Sequence, residues 1–248
     1  MQITQEFIVN EIIHEAVALP DRSVRNLVIG RQLTGVRCHM QAGICSRLPG
    51  ADQRKPDLYR PDLPLSLHQL LPGLKQQGTL QASLALAAAG SMMNQRLNGM
   101  RLKAQDLILE LGRGKNVAVI GHFPFVHKLR YKFNNFWVFE KRPRDFDLPE
   151  TEMPRILPRA ELIAVTGTTL LNGTLAEILS MCSPRSIRLL IGPSTPLAFC
   201  LGDAGIHYLA GCRVLEPDLV FEGINKDRCF RELQGVEHFI CETSAPRE

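Results

Sequence analysis

Residues 161–174 read Glu161-Leu-Ile-Ala-Val-Thr-Gly-Thr-Thr-Leu-Leu-Asn-Gly-Thr174 and join an apolar strand to a helix through a small polar loop. Leu162 to Val165 are apolar, which predicts a buried strand. Thr174, followed three residues later by Glu177, has the pattern of a capping box that opens the helix. Strand, polar loop and helix in this order are typical of ligand sites in α/β proteins. The stretch therefore predicts where a ligand binds and leaves its identity open.

Apolar and polar patterns predict alternating strands and helices on both sides of this stretch. The predicted strands are 115–121, 135–140, 162–165, 187–191, 206–210 and 236–241, and the predicted helices are 104–111, 125–133, 175–182 and 196–201. This alternation implies a parallel sheet with right-handed crossovers.

The pattern is different before Asn98-Gly99. It predicts a helix at 3–18, strands at 24–29, 35–40 and 43–48, and a buried helix at 79–97 in which Gly90 lets another backbone come close. We therefore predict an α/β fold with two domains, a small α+β domain over residues 1–100 and a Rossmann-like domain over residues 101–248.

Composition limits the class of protein. The 248 residues are 45% hydrophobic and 22% charged, as in ordinary globular proteins. A net charge of +4 is too small to predict a nucleic-acid or anionic-membrane partner, but it suits a small anionic ligand. No apolar run reaches the roughly 18 residues that span a bilayer, and the first residues lack the pattern of a signal peptide. The seven cysteines have no C-x-x-C spacing, so we expect reduced thiols and a cytoplasmic protein.

Unusual residues follow four of the predicted strands, at the ends where open parallel sheets bind ligands. The candidate site residues are His122, Phe123, Glu140, Thr166, Gly167, Thr168, Thr169, Asn172, Gly192, Pro193, Ser194 and Thr195. We expect the backbone N–H groups of 167–169 and 192–194 to bind oxyanions. Asn172 would fix the orientation of the ligand, Glu140 would accept from hydroxyls or amines, and His122 is the candidate general acid or base.

Some of these residues also have a purely structural interpretation. Ser194 or Thr195 before Pro196 fits an N-cap followed by proline at the first helical position. Residues 143–158 hold four prolines and four carboxylates, and they could form a lid, a hard-cation site or a solvated loop.

No metal-ligand motif or cofactor motif is complete. Cys38 and His39 are adjacent on a strand and should face opposite ways, and His122 and His127 are five residues apart. Glu140 lies 19 residues after Gly121, where dinucleotide folds place an acid for the ribose, but the G-x-G-x-x-G glycines are missing. The metal ligands and the cofactor are therefore left unassigned, with a nucleoside-like ligand still open.

Five segments in order resemble the putative heavy-metal chelation family, which is biochemically uncharacterised. They are Val119-Ile-Gly-His-Phe-Pro124, Val138-Phe-Glu-Lys-Arg-Pro143, Asp147-Leu-Pro149, Thr166-Gly-Thr-Thr-Leu-Leu-Asn-Gly-Thr174 and Gly192-Pro-Ser-Thr-Pro196. The resemblance implies an enolase-N-terminal-like domain before a Rossmann-like domain, with a site in the cleft between them that takes in the candidate residues above. Phe146 stands where the family would have glycine, and Gln95 where a small residue is usual.

Three classes of function are compatible with these observations. The leading hypothesis is binding of a small polar or anionic metabolite in the cleft, with or without a metal ion held by that metabolite, and with or without catalysis. The alternatives are a nucleoside-cofactor-dependent enzyme, such as an S-adenosylmethionine-dependent transferase, and a protein that binds metal directly. We expect a small-molecule partner and no nucleic acid or membrane, and leave a homo-oligomer open.

Overall fold

The computed structural model describes residues 3–39, 41–50, 65–95 and 99–244, which form a mixed α/β fold with two sheets. The strands are β1 (Asn26–Ile29), β2 (Leu33–Arg37), β3 (Ala42–Ser46), β4 (Asn116–Ile120), β5 (Asn135–Phe139), β6 (Leu162–Thr166), β7 (Ile187–Ile191), β8 (Tyr208–Val214) and β9 (Val236–Glu242). The helices are α1 (Gln5–Val17), α2 (Leu67–Leu70), α3 (Leu80–Met93), α4 (Ala104–Leu111), α5 (Val126–Leu129), α6 (Met153–Ile156), α7 (Thr169–Asn172), α8 (Leu175–Met181) and α9 (Pro217–Asn225). Single 3₁₀ turns occupy Leu71–Lys75, Glu150–Glu152, Leu157–Arg159, Phe199–Gly202 and Phe230–Glu232.

The smaller sheet is antiparallel in the order β1-β2-β3, and α3 packs against it. The close approach depends on Gly43 of β3, where an added Cβ would lie 2.1 Å from the Ala87 carbonyl oxygen of α3. A Cβ on Gly90 would meet only the Asn94 side chain, at 3.6 Å. The β3 backbone does come close to Gly90, whose carbonyl carbon would lie 2.9 Å from the added Cβ of Gly43, but the missing side chain that allows this approach is that of Gly43.

The larger sheet has the order β5-β4-β6-β7-β8-β9, with parallel pairing except between β8 and β9. The predicted α/β fold is confirmed, and the antiparallel edge strand is an addition that periodicity does not reveal. Strand β4 pairs with β5 on one side and β6 on the other, so the chain reverses its direction of travel across the sheet at β4. Such a switch point opens a crevice beyond the carboxyl ends of β4 and β6.

Two local predictions are wrong. Thr174 makes no capping hydrogen bond: its backbone is helical, with φ −99° and ψ −4°, where a capping residue is usually extended. Its Oγ1 donates to Asn172 Oδ1 at 2.7 Å. No helix forms at 196–201 beyond the single 3₁₀ turn Phe199–Gly202. Ser194 Oγ is not available as a cap because it accepts the Ser46 N–H of β3 at 2.9 Å.

The two sheets share hydrophobic clusters, which join them tightly. One cluster combines residues of α1 and α3 with residues of β4, β6 and the 3₁₀ turn Phe199–Gly202. Asn94, at the end of α3, donates from Nδ2 to Cys212 O and accepts from Leu197 N–H at Oδ1, both at 2.9 Å. The proposed domain boundary near residue 100 therefore lies between two parts that pack on a common core. None of the described helices is long and apolar enough to cross a membrane.

Candidate functional site

A cavity of about 480 Å³ lies at the carboxyl ends of β4, β5 and β6. Its lining comes from both sheets: Arg47, Leu48, Pro49, Ile120, Gly121, His122, Phe123, Phe139, Glu140, Lys141, Arg142, Glu150, Thr166, Thr168, Thr169, Asn172 and Thr174. Of the residues predicted from the sequence, seven line this cavity: His122, Phe123, Glu140, Thr166, Thr168, Thr169 and Asn172. Arg47, Leu48 and Pro49, which follow β3, line the side of the cavity that the larger sheet leaves open.

Gly121 ends β4 at the switch point in a conformation suited to glycine. Its φ is 102°, a left-handed value that L side chains rarely adopt. An added Cβ would lie 3.2 Å from Thr166 Cβ, so glycine also keeps the loop after β4 close to the end of β6. The backbone thereby turns sharply after β4, and His122 is directed toward Asp147 in segment 143–158.

His122 forms a buried pair with Asp147. The ring Nδ1 lies 2.9 Å and 2.8 Å from the two carboxylate oxygens, and the side chains of His122 and Asp147 are 9% and 0% exposed. A carboxylate only accepts, so Nδ1 carries the proton and Nε2 is left with its lone pair when the ring is neutral. In the sequence Asp147 lies in a loop with three other carboxylates, and no motif there predicts this pairing. The observed partner fixes both the tautomer and the ring orientation.

Glu140 closes β5 and braces the same loop. Its Oε2 accepts the His122 N–H at 3.1 Å, and its Oε1 accepts the N–H of Lys141 at 2.8 Å. Each oxygen keeps lone-pair capacity toward the cavity, because a carboxylate has about four acceptor positions. Glu140 is therefore both a structural support for His122 and a cavity-lining acceptor.

The loop after β6 presents hydroxyl and amide groups. Thr166 Oγ1 and Thr168 Oγ1 are 3.0 Å apart, and Thr169 Oγ1 donates to the Thr166 carbonyl at 2.7 Å. Asn172 Oδ1 accepts from both the N–H and the hydroxyl of Thr174, at 3.1 Å and 2.7 Å. With its oxygen engaged in this way, Asn172 has its Nδ2 donors available for a ligand.

Two of the N–H groups predicted to bind oxyanions are engaged inside the sheet. Gly167 N–H donates to Ile191 O at 2.8 Å, and Gly192 N–H donates to Ala210 O at 3.0 Å. A Cβ on Gly167 would lie 2.7 Å from the Ser194 backbone, so this glycine allows two loops to pack together.

Residues 192–195 lie outside the set that lines the cavity. Ser194 and Thr195 are 2% and 1% exposed, and Ser194 bonds to β3. The structure thus gives this segment a role in joining the two sheets, and its part in ligand binding stays a prediction.

The segment 143–158 follows the edge of β5. Leu148 N–H donates to Val138 O at 2.7 Å, and Leu148 O accepts the Glu140 N–H at 3.1 Å. Glu150 then reaches the cavity lining. The four carboxylates of segment 143–158 do not converge on one point, since Asp147 binds His122 and Glu152 binds Arg155. The arrangement therefore offers no all-carboxylate cation site among these four residues.

One group of potential metal ligands does converge, and the sequence analysis missed it. His122, His127 and Asp145 each offer a ligand atom, and these atoms lie within 4.8 Å of one another. Within the described ranges, no other group of three or more histidine, cysteine or acidic side chains meets this criterion. A pair of histidines five residues apart after a strand, with an acidic turn downstream, was the sequence signal that could have indicated it.

Burial disfavours thiol chelation at three of the cysteines. None of the seven cysteines forms a disulfide, and six of them are buried. Burial raises the pKa of Cys45 to about 12, that of Cys182 to about 11 and that of Cys212 to about 12. Metal binding through sulfur needs the thiolate, and these thiols stay protonated at neutral pH. A metal therefore fits the histidine and carboxylate group better than these three cysteines.

Comparisons with known proteins agree with the fold. A sequence profile described as putative heavy-metal chelation matches residues 103–239, and a second profile with the same description matches residues 10–93. An uncharacterized protein of Methanocaldococcus jannaschii is 29% identical over 147 residues, which cover 56% of this chain and 56% of that protein. The chain thus spans about half the length of this curated relative.

Two solved structures, both of proteins with unknown function from this family, are similar over nearly the whole chain. The structure from Desulfitobacterium hafniense has a TM-score of 0.82 at 23% identity, over 95% of this chain and 97% of that one. The structure from Pyrococcus horikoshii has a TM-score of 0.81 at 19% identity, over 95% and 99%. At these identities the similarity establishes the fold alone.

Proposed function

Because the chain belongs to the family described as putative heavy-metal chelation, we propose that it binds a small anionic metabolite in the cavity at the switch point. One observation supports this most directly: the cavity is lined by hydroxyl and amide groups together with basic side chains. A volume of about 480 Å³ falls within the roughly 300–1,000 Å³ of small-molecule sites.

The charges around the cavity favour an anion. Arg47, Lys141 and Arg142 supply three positive charges, against the carboxylates of Glu140 and Glu150. Both oxygens of Glu140 already accept backbone N–H groups, which offsets part of its negative charge locally. Lys141 and Arg142 are exposed and can move toward a carboxylate or phosphate group as it enters.

The neutral hydrogen-bonding groups of the lining would fix the orientation of the ligand. Asn172 Nδ2 can donate, and the hydroxyls of Thr166 and Thr168 can donate or accept. Ligand hydroxyls or amines would face these groups while the anionic end faces the bases. The ligand class is thus a compact carboxylate or phosphate that also carries hydroxyl or amine groups.

The nucleoside-cofactor alternative has less support. Its main argument was Glu140 as a ribose-binding acid, and that carboxylate also has a structural role, because it accepts two backbone N–H groups. Helix α5, which follows β4, has only four residues, so the first crossover offers no long helix to receive a phosphate group. We therefore propose binding of a metabolite without assigning a nucleoside cofactor.

Ligand binding can be tested by titration calorimetry with citrate and a sugar phosphate as probes. The double variant K141Q/R142Q removes two charges from the mouth of the cavity, and R113Q/K132Q removes two exposed charges outside it. Each charge near a surface site contributes roughly 1 kcal/mol, so the first variant should bind about 30-fold more weakly. The control should bind like the wild type.

Two results would contradict the proposal. One is a wild-type protein that binds neither probe and carries no organic molecule in native mass spectrometry. The other is equal weakening in both double variants, which would show a general effect of net charge instead of a site.

A further inference from the structure

We propose that His122, His127 and Asp145 hold one divalent metal ion of the zinc class, with Asp147 as the carboxylate that orients His122. The three ligand atoms lie within 4.8 Å of one another. This site stands on its own geometry and goes beyond the metabolite site, although His122 belongs to both.

Distances favour a tetrahedral ion. Nitrogen and oxygen ligands lie about 2.0–2.2 Å from zinc, which places two ligand atoms roughly 3.4 Å apart. His127 Nε2 and Asp145 Oδ2 already have that spacing, at 3.4 Å. Their side chains are 55% and 57% exposed, so both can rotate to bring the third ligand atom into range. The ion would therefore bind with side-chain adjustment and no backbone movement.

The His122–Asp147 pair has the arrangement found at many metal sites. Ligating histidines usually donate their second ring N–H to a carboxylate, which fixes the tautomer and makes the other nitrogen a better donor. Here Nδ1 donates to a fully buried carboxylate at 2.8 Å, which leaves Nε2 of His122 as the metal-binding atom. This is independent of the clustering itself, because Asp147 is not one of the three proposed ligands.

The backbone also holds Asp145 near the two histidines. Asp145 has a φ of 55°, in the left-handed region that aspartate tolerates better than most residues. The turn is closed by the Asp147 N–H to Arg144 O bond at 3.0 Å. Phe146, inside the turn, packs edge-on against His127, with ring centroids 5.3 Å apart.

The chemistry of the ligand set selects the class of metal. Imidazole suits zinc, nickel, cobalt and copper, whereas magnesium and calcium prefer all-oxygen sites. Two carboxylates, Asp145 and Asp147, offset the nearby positive charge of Arg130, which lies over the Phe146 ring at 4.5 Å. Three protein ligands leave a coordination position for water or a ligand donor.

The test uses untagged protein treated with EDTA, so that no affinity tag contributes histidines. Calorimetry with Zn²⁺ should show one equivalent per chain, and Mg²⁺ should show none. The variants His127→Ala and Asp145→Asn should each bind Zn²⁺ at least 100-fold more weakly. Asp145→Asn keeps the size and the tolerance for positive φ, so its circular dichroism and melting should match the wild type.

His14→Ala is the matched control, since His14 is an exposed histidine on α1 far from this group in sequence. It should bind Zn²⁺ like the wild type. Asp147→Asn should weaken binding about 10- to 100-fold without removing a ligand. The absorption of bound Co²⁺ gives a second readout, with tetrahedral bands and no thiolate charge-transfer band expected.

Three outcomes overturn the metal site: no Zn²⁺ uptake, unchanged uptake in His127→Ala and Asp145→Asn, or a thiolate band with Co²⁺. Citrate binding by the EDTA-treated His127→Ala variant separates the two proposals. If that binding persists while Zn²⁺ binding is absent in the wild type, the metal site is wrong and the metabolite site stands.

Discussion

Asp147→Asn is the substitution that most directly tests the buried pair at the centre of the site. It keeps the shape of the side chain and removes the negative charge that His122 Nδ1 contacts at 2.8–2.9 Å. We expect the free energy of unfolding to fall by about 2 kcal/mol. The loss should occur without a change in overall secondary structure.

The magnitude follows from the hydrogen bonds and burial. A hydrogen bond to a charged group contributes about 1.5–3 kcal/mol, and the neutral amide oxygen that replaces it contributes about 0.5–1.5 kcal/mol. The Asp147 side chain is 0% exposed, so the new amide N–H groups lack water as a partner and add a cost of roughly 1 kcal/mol. For a chain of 248 residues this loss corresponds to a fall of about 4–8 °C in Tm.

Urea unfolding followed by the fluorescence of Trp137, the single tryptophan, measures the change. Asp145→Asn is the matched control, because its side chain is 57% exposed and an exposed ion pair contributes about 0.5 kcal/mol or less. A double-mutant cycle with His122→Ala should give a coupling of about 1–2 kcal/mol. Additive losses, or equal losses in the variant and its control, would refute the argument that a buried charged pair stabilises this loop.

Three further predictions concern packing, a buried amide and pH. Gly43→Ala should cost roughly 1–3 kcal/mol in urea unfolding, since its Cβ would lie 2.1 Å from a backbone oxygen of α3. Gly90→Ala, with no contact closer than 3.6 Å, should instead keep or raise stability by up to about 1 kcal/mol, and a larger loss at Gly90 would contradict this. Asn94→Ala should cost about 2–4 kcal/mol, because it leaves a buried N–H and a buried carbonyl unpaired, and a melting curve like that of the wild type would argue against it. Burial, and then the charge of Lys103, lower the pKa of His238 below its ordinary 6.5. The unfolded chain therefore takes up the proton first as pH falls below about 6.5, so stability decreases there, and His238→Gln should flatten that slope.

Local periodicity predicted most of the larger sheet. The predicted strand 187–191 and the predicted helix 104–111 coincide with β7 and α4. These elements are specified by apolar residues at regular spacing, which depends on a few neighbouring residues. Periodicity does not predict the order of the strands. Strand β4 pairs with β5 and β6 through contacts between residues that are distant in sequence.

Capping was predicted less well, because the backbone conformation and other contacts of the same side chains decide it. Thr174 has a suitable pattern, but its backbone is helical where a capping residue is usually extended. Ser194 also has a suitable pattern, but the β3 backbone donates to its hydroxyl. A sequence pattern shows that a hydroxyl can cap a helix. It does not show which hydrogen-bond partner that hydroxyl has in the folded chain.

The sequence by itself determined the α/β alternation and the placement of polar residues at and after the ends of strands, including six that line the cavity. Both follow from local order, since the end of a strand is fixed by where its apolar run stops. Only the tertiary structure brought Asp147 to His122 and placed His127 beside Asp145. These residues are separated by 18–25 positions along the chain, and their meeting depends on a tight turn held against α5 by Phe146. Such a meeting is a property of packing, which no periodicity in the sequence records.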